Sequence, residues 1–350
     1  MTYPTSVSTL GFAEQCSPAP GIISGAMTNA FALKVTDLAR LQTTVDHFLT
    51  TPTGGAASYT VLGELIFVTF MHADRLTSGG EVTGWQPDDE MAFWVPLLVR
   101  GPAGQPDRIR MWMPYITISV SEGMTTGREI WGYFKQTGDV TVADHSADPM
   151  VFTSQALIYD PLASTSQGRT EPLVTITGPG TGGGPEALWH DVESFARGMH
   201  ELWQGAHAEV SGSILGGDGG LLLDTLEHLL AGQVEVVNLK QFRDAADSSL
   251  ACYQALIEGP CTIKALHGGG LLPAGFSATI ANWASNPLAS YLGLPTSGPI
   301  PVVFATWVNM DFEASNGREV WKASGSGEPP APPGCLNLPA LFRKLFAGSR

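Results

Sequence analysis

The residue whose setting most suggests chemistry is Lys135, which stands far in sequence from the other five lysines of the chain. It ends the segment GREIWGYFK (residues 127–135), in which Trp131, Tyr133 and Phe134 precede it. A solvated lysine normally has polar neighbours, so these aromatic residues favour burial of the amine. Burial disfavours the ammonium form, and a neutral amine can attack a carbonyl carbon and form a Schiff base. The alternative interpretation is a strand lysine whose stem is covered while its ammonium reaches water.

A carboxylate that could serve such an amine lies in the acidic run Asp88-Asp89-Glu90. Such a run is usually a solvated turn, but this one directly precedes an apolar stretch, residues 91–96. Schiff-base reactions that make or break a carbon–carbon bond need a general acid or base. The run could supply one carboxylate for that role.

Other catalytic and metal-binding patterns are absent from the sequence. His200-Glu201 does not continue as HExxH, and the spacings among His190, His200 and His207 do not place three ligands on one helix face. No Gly-x-Ser-x-Gly nucleophile motif occurs, and the four cysteines show no CxxC spacing. We therefore predict free thiols, no metal site and no bound cofactor.

The overall composition favours a protein that handles small molecules. The 350 residues include 33 acidic and 18 basic side chains, for a formal net charge of −15, which argues against binding to nucleic acid or to anionic membrane surfaces. The apolar stretches are too short for a membrane span, and the N-terminus shows no signal-peptide pattern. We expect a cytoplasmic protein with no nucleic-acid partner and no integral membrane segment.

The elements that must position these side chains are mainly strands. Alternating or continuous apolar residues predict strands at 59–70, 92–99, 109–120, 150–159, 173–177, 252–266 and 301–312. Helices are predicted at 37–49 after an N-cap at Thr36, at 186–203 and at 221–230. Because strands and helices do not alternate regularly, we predict an α+β fold with a mainly antiparallel sheet or barrel and peripheral helices.

Composition also divides the chain. Residues 1–26 are interpreted as an N-terminal extension and residues 27–322 as one domain, in which Gly-rich segments bracket a helical insertion at about 183–235. Residues 323–334 are rich in Gly, Ser and Pro, which is typical of a linker. Residues 335–350 combine apolar and basic residues and predict an amphipathic tail. That tail either docks on its own oligomer, a partner or a membrane surface, or stays poorly ordered.

The segment around Lys135 resembles the acetoacetate decarboxylase-like superfamily. There, Gly-Arg-Glu, an apolar pair, a small residue, an aromatic residue and proline precede the Schiff-base lysine. Glu90 falls where that family places an active-site glutamate ahead of a strand, and His72 follows Met71 as in the family's Met-His pair. The resemblance covers about residues 27–313 and implies a cone- or barrel-like sheet with Lys135 and Glu90 as catalytic residues. We also expect a homo-oligomer.

The resemblance further implies that residues near the lysine bind substrate or support the site. These residues are His72, Arg128, Glu129, Trp131, Tyr133, Phe134 and Gln136. The amide of Gln136 could bind a substrate carboxylate or hydroxyl, or could belong to a plain strand residue. Arg128 and Glu129 could instead form a structural ion pair.

Departures from the family pattern bear on the reaction. Gln136 stands where the decarboxylases have a second lysine, Phe134 replaces their proline, and the alignment places Met27 and Phe67 where they have an arginine and a further glutamate. Without a second ammonium, burial must do more to activate Lys135. The pattern favours a Schiff-base lyase of the aldolase or dehydratase type that acts on a small oxo acid or aldehyde. The alternatives are a β-keto acid decarboxylase and a non-catalytic, small-molecule-binding member.

Overall fold

The computed structural model describes residues 16–80, 84–100, 108–181, 184–210 and 232–324. The strands in these ranges are β1 (Gly21–Lys34), β2 (Tyr59–Val61), β3 (Leu65–Ser78), β4 (Trp85–Val99), β5 (Arg108–Trp112), β6 (Ile116–Ile118), β7 (Lys135–Thr137), β8 (Val140–Thr141), β9 (Met150–Ile158), β10 (Arg169–Gly178), β11 (Gln233–Arg243), β12 (Ala251–Leu271), β13 (Ser277–Ile280), β14 (Ile300–Ala314) and β15 (Arg318–Lys322). The helices are α1 (Leu38–Val45), α2 (Ser121–Thr126), α3 (Val192–Val210) and α4 (Leu288–Tyr291), with π-helical turns at Asp46–Thr50 and Gly127–Trp131 and a 3-10 turn at Thr51–Thr53. Strands dominate and helices are few, which confirms the predicted α+β class.

Seven of the strands close into a ring. Strands β12, β11, β5, β4, β3, β1 and β14 pair in that order, and β14 pairs back with β12. All pairings around the ring are antiparallel except that of β11 with β5, which is parallel and has one register pair, Val236 with Met111. Strands β13, β10, β9 and β8 extend the sheet from β14. The predicted barrel-like, mainly antiparallel sheet is confirmed.

Strand β4 separates a packed core from a cavity. Its odd-numbered residues from Met91 to Leu97 are fully buried in the main hydrophobic core, which also contains residues of β9, β10 and β13. Its even-numbered residues, among them Asp88, Glu90 and Trp94, line a cavity on the opposite side. Successive side chains of a strand point to opposite faces, so this strand contributes to both.

The structure corrects several predicted boundaries. The acidic residues 88–90 lie within β4 and not in a turn, because they pair with residues 71–73 of β3. Strand β1 begins at Gly21, before the expected domain boundary at 27. Helix α1 is capped by Asp37, whose carboxylate accepts a 2.9 Å hydrogen bond from the Arg40 N–H, and not by Thr36. Strands β1, β11 and β15 are absent from the prediction because polar residues interrupt their apolar patterns. Strands β7, β8 and β13 are also absent, because each spans four residues or fewer.

Several predicted elements fall at the edge of the described ranges or beyond them. Helix α3 confirms a helix in the insertion, although it begins and ends later than predicted. The helix predicted at 221–230, most of the linker at 323–334 and the tail at 335–350 lie outside the described residues. Within the described part of the chain, no helix combines the length and apolar character needed to cross a membrane.

A buried ion pair reinforces the parallel seam between β5 and β11. Arg110 on β5 and Glu258 on β12 are each 4% exposed, and Arg110 Nε lies 3.2 Å from Glu258 Oε1. Arg318 on β15 places Nη2 2.8 Å from Oε2 of the same carboxylate. The Glu258 carboxylate therefore links β5, β12 and β15. It lies next to the pairing of β5 with β11, which has the fewest register pairs in the ring.

Replacing this carboxylate should destabilise the fold. Glu258→Gln leaves the Arg110 guanidinium buried without an anionic partner, a change that typically costs about 3–5 kcal/mol. We expect a loss of about 3 kcal/mol in the free energy of unfolding, measured by urea denaturation. The control is Glu64→Gln, which removes an exposed pair with Lys34 at 3.5 Å and should cost less than about 1 kcal/mol. Equal losses in the two variants would contradict a structural role for the buried pair.

Candidate active site

The ring contains a cavity of about 520 Å³ beside β4. Strands β1, β3, β5, β11, β12 and β14 contribute to its wall, helix α3 covers one side, and most lining side chains are apolar. The charged or titratable acids and bases that reach it are Asp88, Glu90, Glu122, Lys135, His200 and Glu235. Among the described residues, no three His, Cys, Asp or Glu side chains are grouped so that they could hold a metal ion.

Lys135 and Glu90 meet in this cavity. Lys135 Nζ lies 2.7 Å from Glu90 Oε2, and the two side chains are only 11% and 14% exposed. The ammonium also lies 5.6 Å from the centroid of the Tyr133 ring. The structure thus brings together, in contact, two residues that are 45 positions apart in the sequence. The carboxylate is placed to accept the proton that the amine must lose before it can act as a nucleophile.

Strand β6 lies between the strand that contains Lys135 and the strand that contains Glu90, and it pairs with both. Lys135 begins β7, which pairs in parallel with β6 so that Lys135 lies opposite Ile116. The other edge of β6 pairs with β4, where Ile118 lies opposite Glu90. The short strand β6 therefore fixes the separation of the two side chains through backbone hydrogen bonds.

The segment that precedes Lys135 is a helical turn. Helix α2 continues into the π-helical turn that ends at Gly132, where φ is +76°. Glycine adopts this conformation without strain, and a Cβ at Gly132 would lie 2.6 Å from Lys240 Cα. A Cβ at Gly127 would lie 2.8 Å from Cδ and Cε of Lys135. The two glycines of the motif therefore permit the turn and leave room for the lysine side chain.

Asp88 is a second carboxyl group at the site. It is 4% exposed, and its Oδ1 accepts a 3.1 Å hydrogen bond from Ser119 Oγ. Burial, and after it the neighbouring Glu90 carboxylate, raises the pKa of Asp88 to about 7, while the Lys135 ammonium acts in the opposite direction. This group consequently exchanges its proton near neutral pH. Once residues 88–90 are recognised as part of a strand, the sequence predicts that Asp88 faces the same way as Glu90, because side chains two residues apart in a strand share a face.

Two other groups beside the lysine hold their protons at neutral pH. Burial raises the pKa of the Tyr133 hydroxyl well above its ordinary value, and burial raises the pKa of the Cys261 thiol to about 11. Both side chains line the cavity. Neither is an anionic nucleophile under these conditions, which favours Lys135 as the nucleophile of the described site.

The residues predicted to surround the lysine divide into two groups. Trp131 and Tyr133 line the cavity, and Arg128 Nη1 donates a 3.3 Å hydrogen bond to the Lys135 carbonyl from an exposed position. Glu129 and Phe134 are exposed and do not reach the cavity. Glu129 lies on the outer side of the helical turn, and Phe134 follows that turn with its ring 6.1 Å from that of Tyr115.

His72 and Gln136 also lie outside the cavity. His72 Nδ1 is 2.7 Å from Asp89 Oδ1, on the face of β3 and β4 that does not line it. Gln136 Nε2 donates to the Leu157 carbonyl at 2.8 Å, and its Oε1 accepts from the Tyr115 hydroxyl at 2.9 Å. The Gln136 amide therefore fastens β7 to its neighbours, and its placement argues against the substrate-binding role suggested by the sequence.

Helix α3 supplies lining residues that the sequence pattern does not identify as part of a site. Phe195, Met199, His200 and Trp203 all reach the cavity from this helix. Their spacing of three and four residues matches the apolar face of any amphipathic helix. Sequence periodicity predicted the buried face, and only the fold shows that this face covers a cavity.

Comparison of sequences alone identifies no relative, since no protein-family model and no curated protein matches the chain. Solved structures do match. Acetoacetate decarboxylase from Legionella pneumophila has a TM-score of 0.58 at 13% identity, over 92% of this chain and 93% of that one. An acetoacetate decarboxylase-like enzyme from Sphingomonas wittichii RW1 has a TM-score of 0.54 at 11% identity, over 91% and 100%.

A third similar structure is that of the enduracididine biosynthesis enzyme MppR complexed with pyruvate. Its TM-score is 0.51 at 10% identity, over 91% of this chain and 97% of that one. At such identities the likeness establishes the fold. The chain has the fold of the acetoacetate decarboxylase-like enzymes, and the resemblance drawn from the sequence is confirmed at that level.

A side chain at Gly132 should disrupt the turn that presents the lysine. In Gly132→Ala the residue must keep a left-handed conformation, and its added Cβ also clashes with the backbone of β11. In Gly54→Ala the residue must keep the same conformation, at a φ of +63°, but no atom lies within 4 Å of the added Cβ. The left-handed conformation alone costs about 1–2 kcal/mol. We expect Gly132→Ala to lose at least about twice as much free energy of unfolding as Gly54→Ala in urea denaturation. Equal losses would show that β11 does not constrain this turn.

Asp88 should make folding stability depend on pH in a defined direction. Its pKa is raised from 3.8 to about 7 in the folded protein, so the folded state binds this proton more tightly. Stability from this group is therefore fully present below pH 4 and is lost as the pH rises towards 7. Relative to the parent, Asp88→Asn should gain about 2 kcal/mol in the free energy of unfolding between pH 5 and pH 8.

The comparison needs an exposed carboxyl group as its control. Asp160→Asn changes an exposed side chain and should leave the difference from the parent constant across the same pH range. If the curves of unfolding free energy against pH for Asp88→Asn and the parent ran parallel, the assigned protonation of Asp88 would be wrong.

Proposed function

We propose that this protein is a carbon–carbon lyase of the aldolase or dehydratase type, which forms a Schiff base between Lys135 and a carbonyl substrate. The observation that carries the proposal is the 2.7 Å contact between Lys135 Nζ and Glu90 Oε2 inside a largely apolar cavity. The pair combines a nucleophile with a proton acceptor. The cavity adds space for a small molecule next to both groups.

The first step assigns a role to each group. Glu90 accepts a proton from the Lys135 ammonium, and the freed amine attacks the substrate carbonyl carbon to give a carbinolamine. A carboxylic acid then protonates the carbinolamine hydroxyl, which leaves as water, and the nitrogen lone pair forms the C=N bond of the protonated Schiff base. Asp88, with a pKa of about 7, and the newly protonated Glu90 are the acids available for this transfer.

The Schiff base then serves as an electron sink. Removal of a proton from the carbon next to C=N sends that electron pair towards nitrogen and gives an enamine. The enamine carbon attacks the carbonyl of an aldehyde to form a new carbon–carbon bond, and the reverse sequence breaks that bond. Both directions need a base and an acid near the substrate, and Glu90 and Asp88 face the cavity from neighbouring positions on β4.

The structural relatives support this choice of reaction. One MppR structure contains the condensation product of pyruvate and imidazole 4-carboxaldehyde, and another contains pyruvate, so an oxo acid and an aldehyde occur together on this fold. Acetoacetate decarboxylase shares the fold as well, which keeps β-keto acid decarboxylation as the second candidate. In that reaction the same Schiff base accepts the electrons left by departing carbon dioxide.

Reductive trapping tests the Schiff base directly. Incubation with a carbonyl compound and cyanoborohydride should add the mass of the reduced adduct to a peptide that contains Lys135. The probes are pyruvate, acetoacetate and a set of neutral aldehydes and ketones. Lys135→Ala should abolish labelling, whereas Lys264→Ala, which removes a half-exposed lysine, should retain it. Glu90→Gln should slow adduct formation by about 100-fold or more, the usual contribution of general acid–base catalysis.

The outcomes separate the candidate functions. An adduct at Lys135 without release of carbon dioxide from acetoacetate supports aldolase or dehydratase chemistry, and release of carbon dioxide supports a decarboxylase. An adduct that survives Lys135→Ala, or no adduct with any probe, would contradict the Schiff-base proposal and favour a protein that only binds small molecules.

A further inference from the structure

The cavity is longer than a small oxo acid requires. Its volume of about 520 Å³ lies within the range of about 300–1,000 Å³ found for pockets that hold drug-sized ligands. Along the face of β4 that lines it, the wall includes the stretch from Glu90 to Trp94. Four residues of strand correspond to about 13 Å. A small acid at Lys135 would leave most of this length unfilled.

The end of the cavity away from Lys135 is apolar. Phe67 lies opposite Trp94 in the register of β3 and β4, and the Phe67 ring centroid is 5.7 Å from that of Trp203 on helix α3. The indole N–H of Trp94 donates a 2.9 Å hydrogen bond to Thr69 Oγ1, so it is not directed at a ligand. Met199 of the same helix also lines the cavity. Such a surface favours hydrocarbon over water.

The charged groups of the cavity disfavour an anionic substrate. Four acidic side chains line it, and Lys135 and His200 are the only basic residues among its described lining residues, which include no arginine. The Lys135 ammonium is already paired with Glu90. Met27, at the position where the family pattern has an arginine, packs against the main core and not against the cavity. A substrate carboxylate would therefore lose hydration without gaining a bidentate partner.

We infer that the substrate of the proposed reaction is a neutral aldehyde or ketone with an extended apolar chain, and not a small oxo acid. The carbonyl carbon lies at Lys135 Nζ, and the chain follows β4 towards Phe67, Trp94 and helix α3. The inference rests on the proposed Schiff-base function for its chemistry. It rests on the length, lining and charge of the cavity for the class of substrate.

A chain-length series tests the inference. The parent protein is treated with cyanoborohydride and 2-butanone, 2-pentanone, 2-heptanone or 2-nonanone, with pyruvate and acetoacetate alongside, and labelling of Lys135 is measured against concentration. Burial of one methylene contributes about 0.8 kcal/mol, so the concentration for half-maximal labelling should fall roughly threefold to fourfold per added CH₂ until the cavity is filled. Pyruvate should require a higher concentration than 2-heptanone.

Two results would overturn the substrate class while leaving the Schiff base intact. They are labelling by pyruvate at a lower concentration than by any ketone, and labelling by ketones that does not depend on chain length. The ligand class can also be measured without imine chemistry, by calorimetric titration of 2-nonanone and of pyruvate into Lys135→Ala. Tighter binding of the ketone supports the inference even if no adduct forms in the parent, whereas tighter binding of pyruvate contradicts it.

A matched pair of substitutions locates the chain. Ala30 lines the cavity opposite Thr69 of β3, and Ala30→Phe should occupy the apolar space. The preference for 2-nonanone over 2-butanone should then fall at least tenfold. Ala39→Phe makes the same change at an exposed site on helix α1 and should leave that preference unchanged.

A second variant changes the cavity in the opposite direction. Met199→Ala removes a side chain from the cover that helix α3 provides and should extend the chain length at which labelling stops improving. An unaltered chain-length profile in both Ala30→Phe and Met199→Ala would show that the chain does not occupy this region.

Discussion

The constraint on which the rest of the structure depends is the closure of seven strands into a ring. Closure covers both faces of β4, so that its odd-numbered residues complete the main core while its even-numbered residues face the cavity. The cavity face of β4 holds carboxyl groups away from water, since Asp88 is 4% exposed and the Glu90 side chain is 14% exposed. Burying these groups costs free energy, and burial raises the pKa of the Asp88 carboxyl to about 7.

The Lys135–Glu90 pair compensates for part of this cost. Two opposite charges in contact are far less costly to bury than either alone, and the pair places a proton donor beside a proton acceptor at a distance of 2.7 Å. The cost of burying a second carboxylate remains at Asp88, since burial and the Glu90 charge raise its pKa to about 7. A site with one amine and two carboxyl groups can thus hold and release protons.

Helix α3 contributes apolar lining to the part of the cavity that lies away from these charges. Its apolar face would be covered by a hydrophobic core in most folds. In this fold that face closes the side of a cavity and brings Trp203 near Phe67. The insertion therefore adds apolar lining to a cavity whose Lys135–Glu90 pair lies on β7 and β4. In the proposed function, β4 and β7 position the reacting groups, whereas helix α3 shapes the space for the rest of the substrate.

The sequence by itself indicated the fold class, most strands and the isolation of Lys135, which depend on residue type, spacing and periodicity and are therefore local. The family resemblance, and not local spacing, implied Glu90 as a second residue of the site. The tertiary structure alone decided that residues 127–131 form a helical turn, that Gln136 and His72 face away from the cavity, and that Asp88 is buried beside Glu90. Direction and burial depend on which strands pair and which helix covers them, and contacts between residues distant in the chain set both.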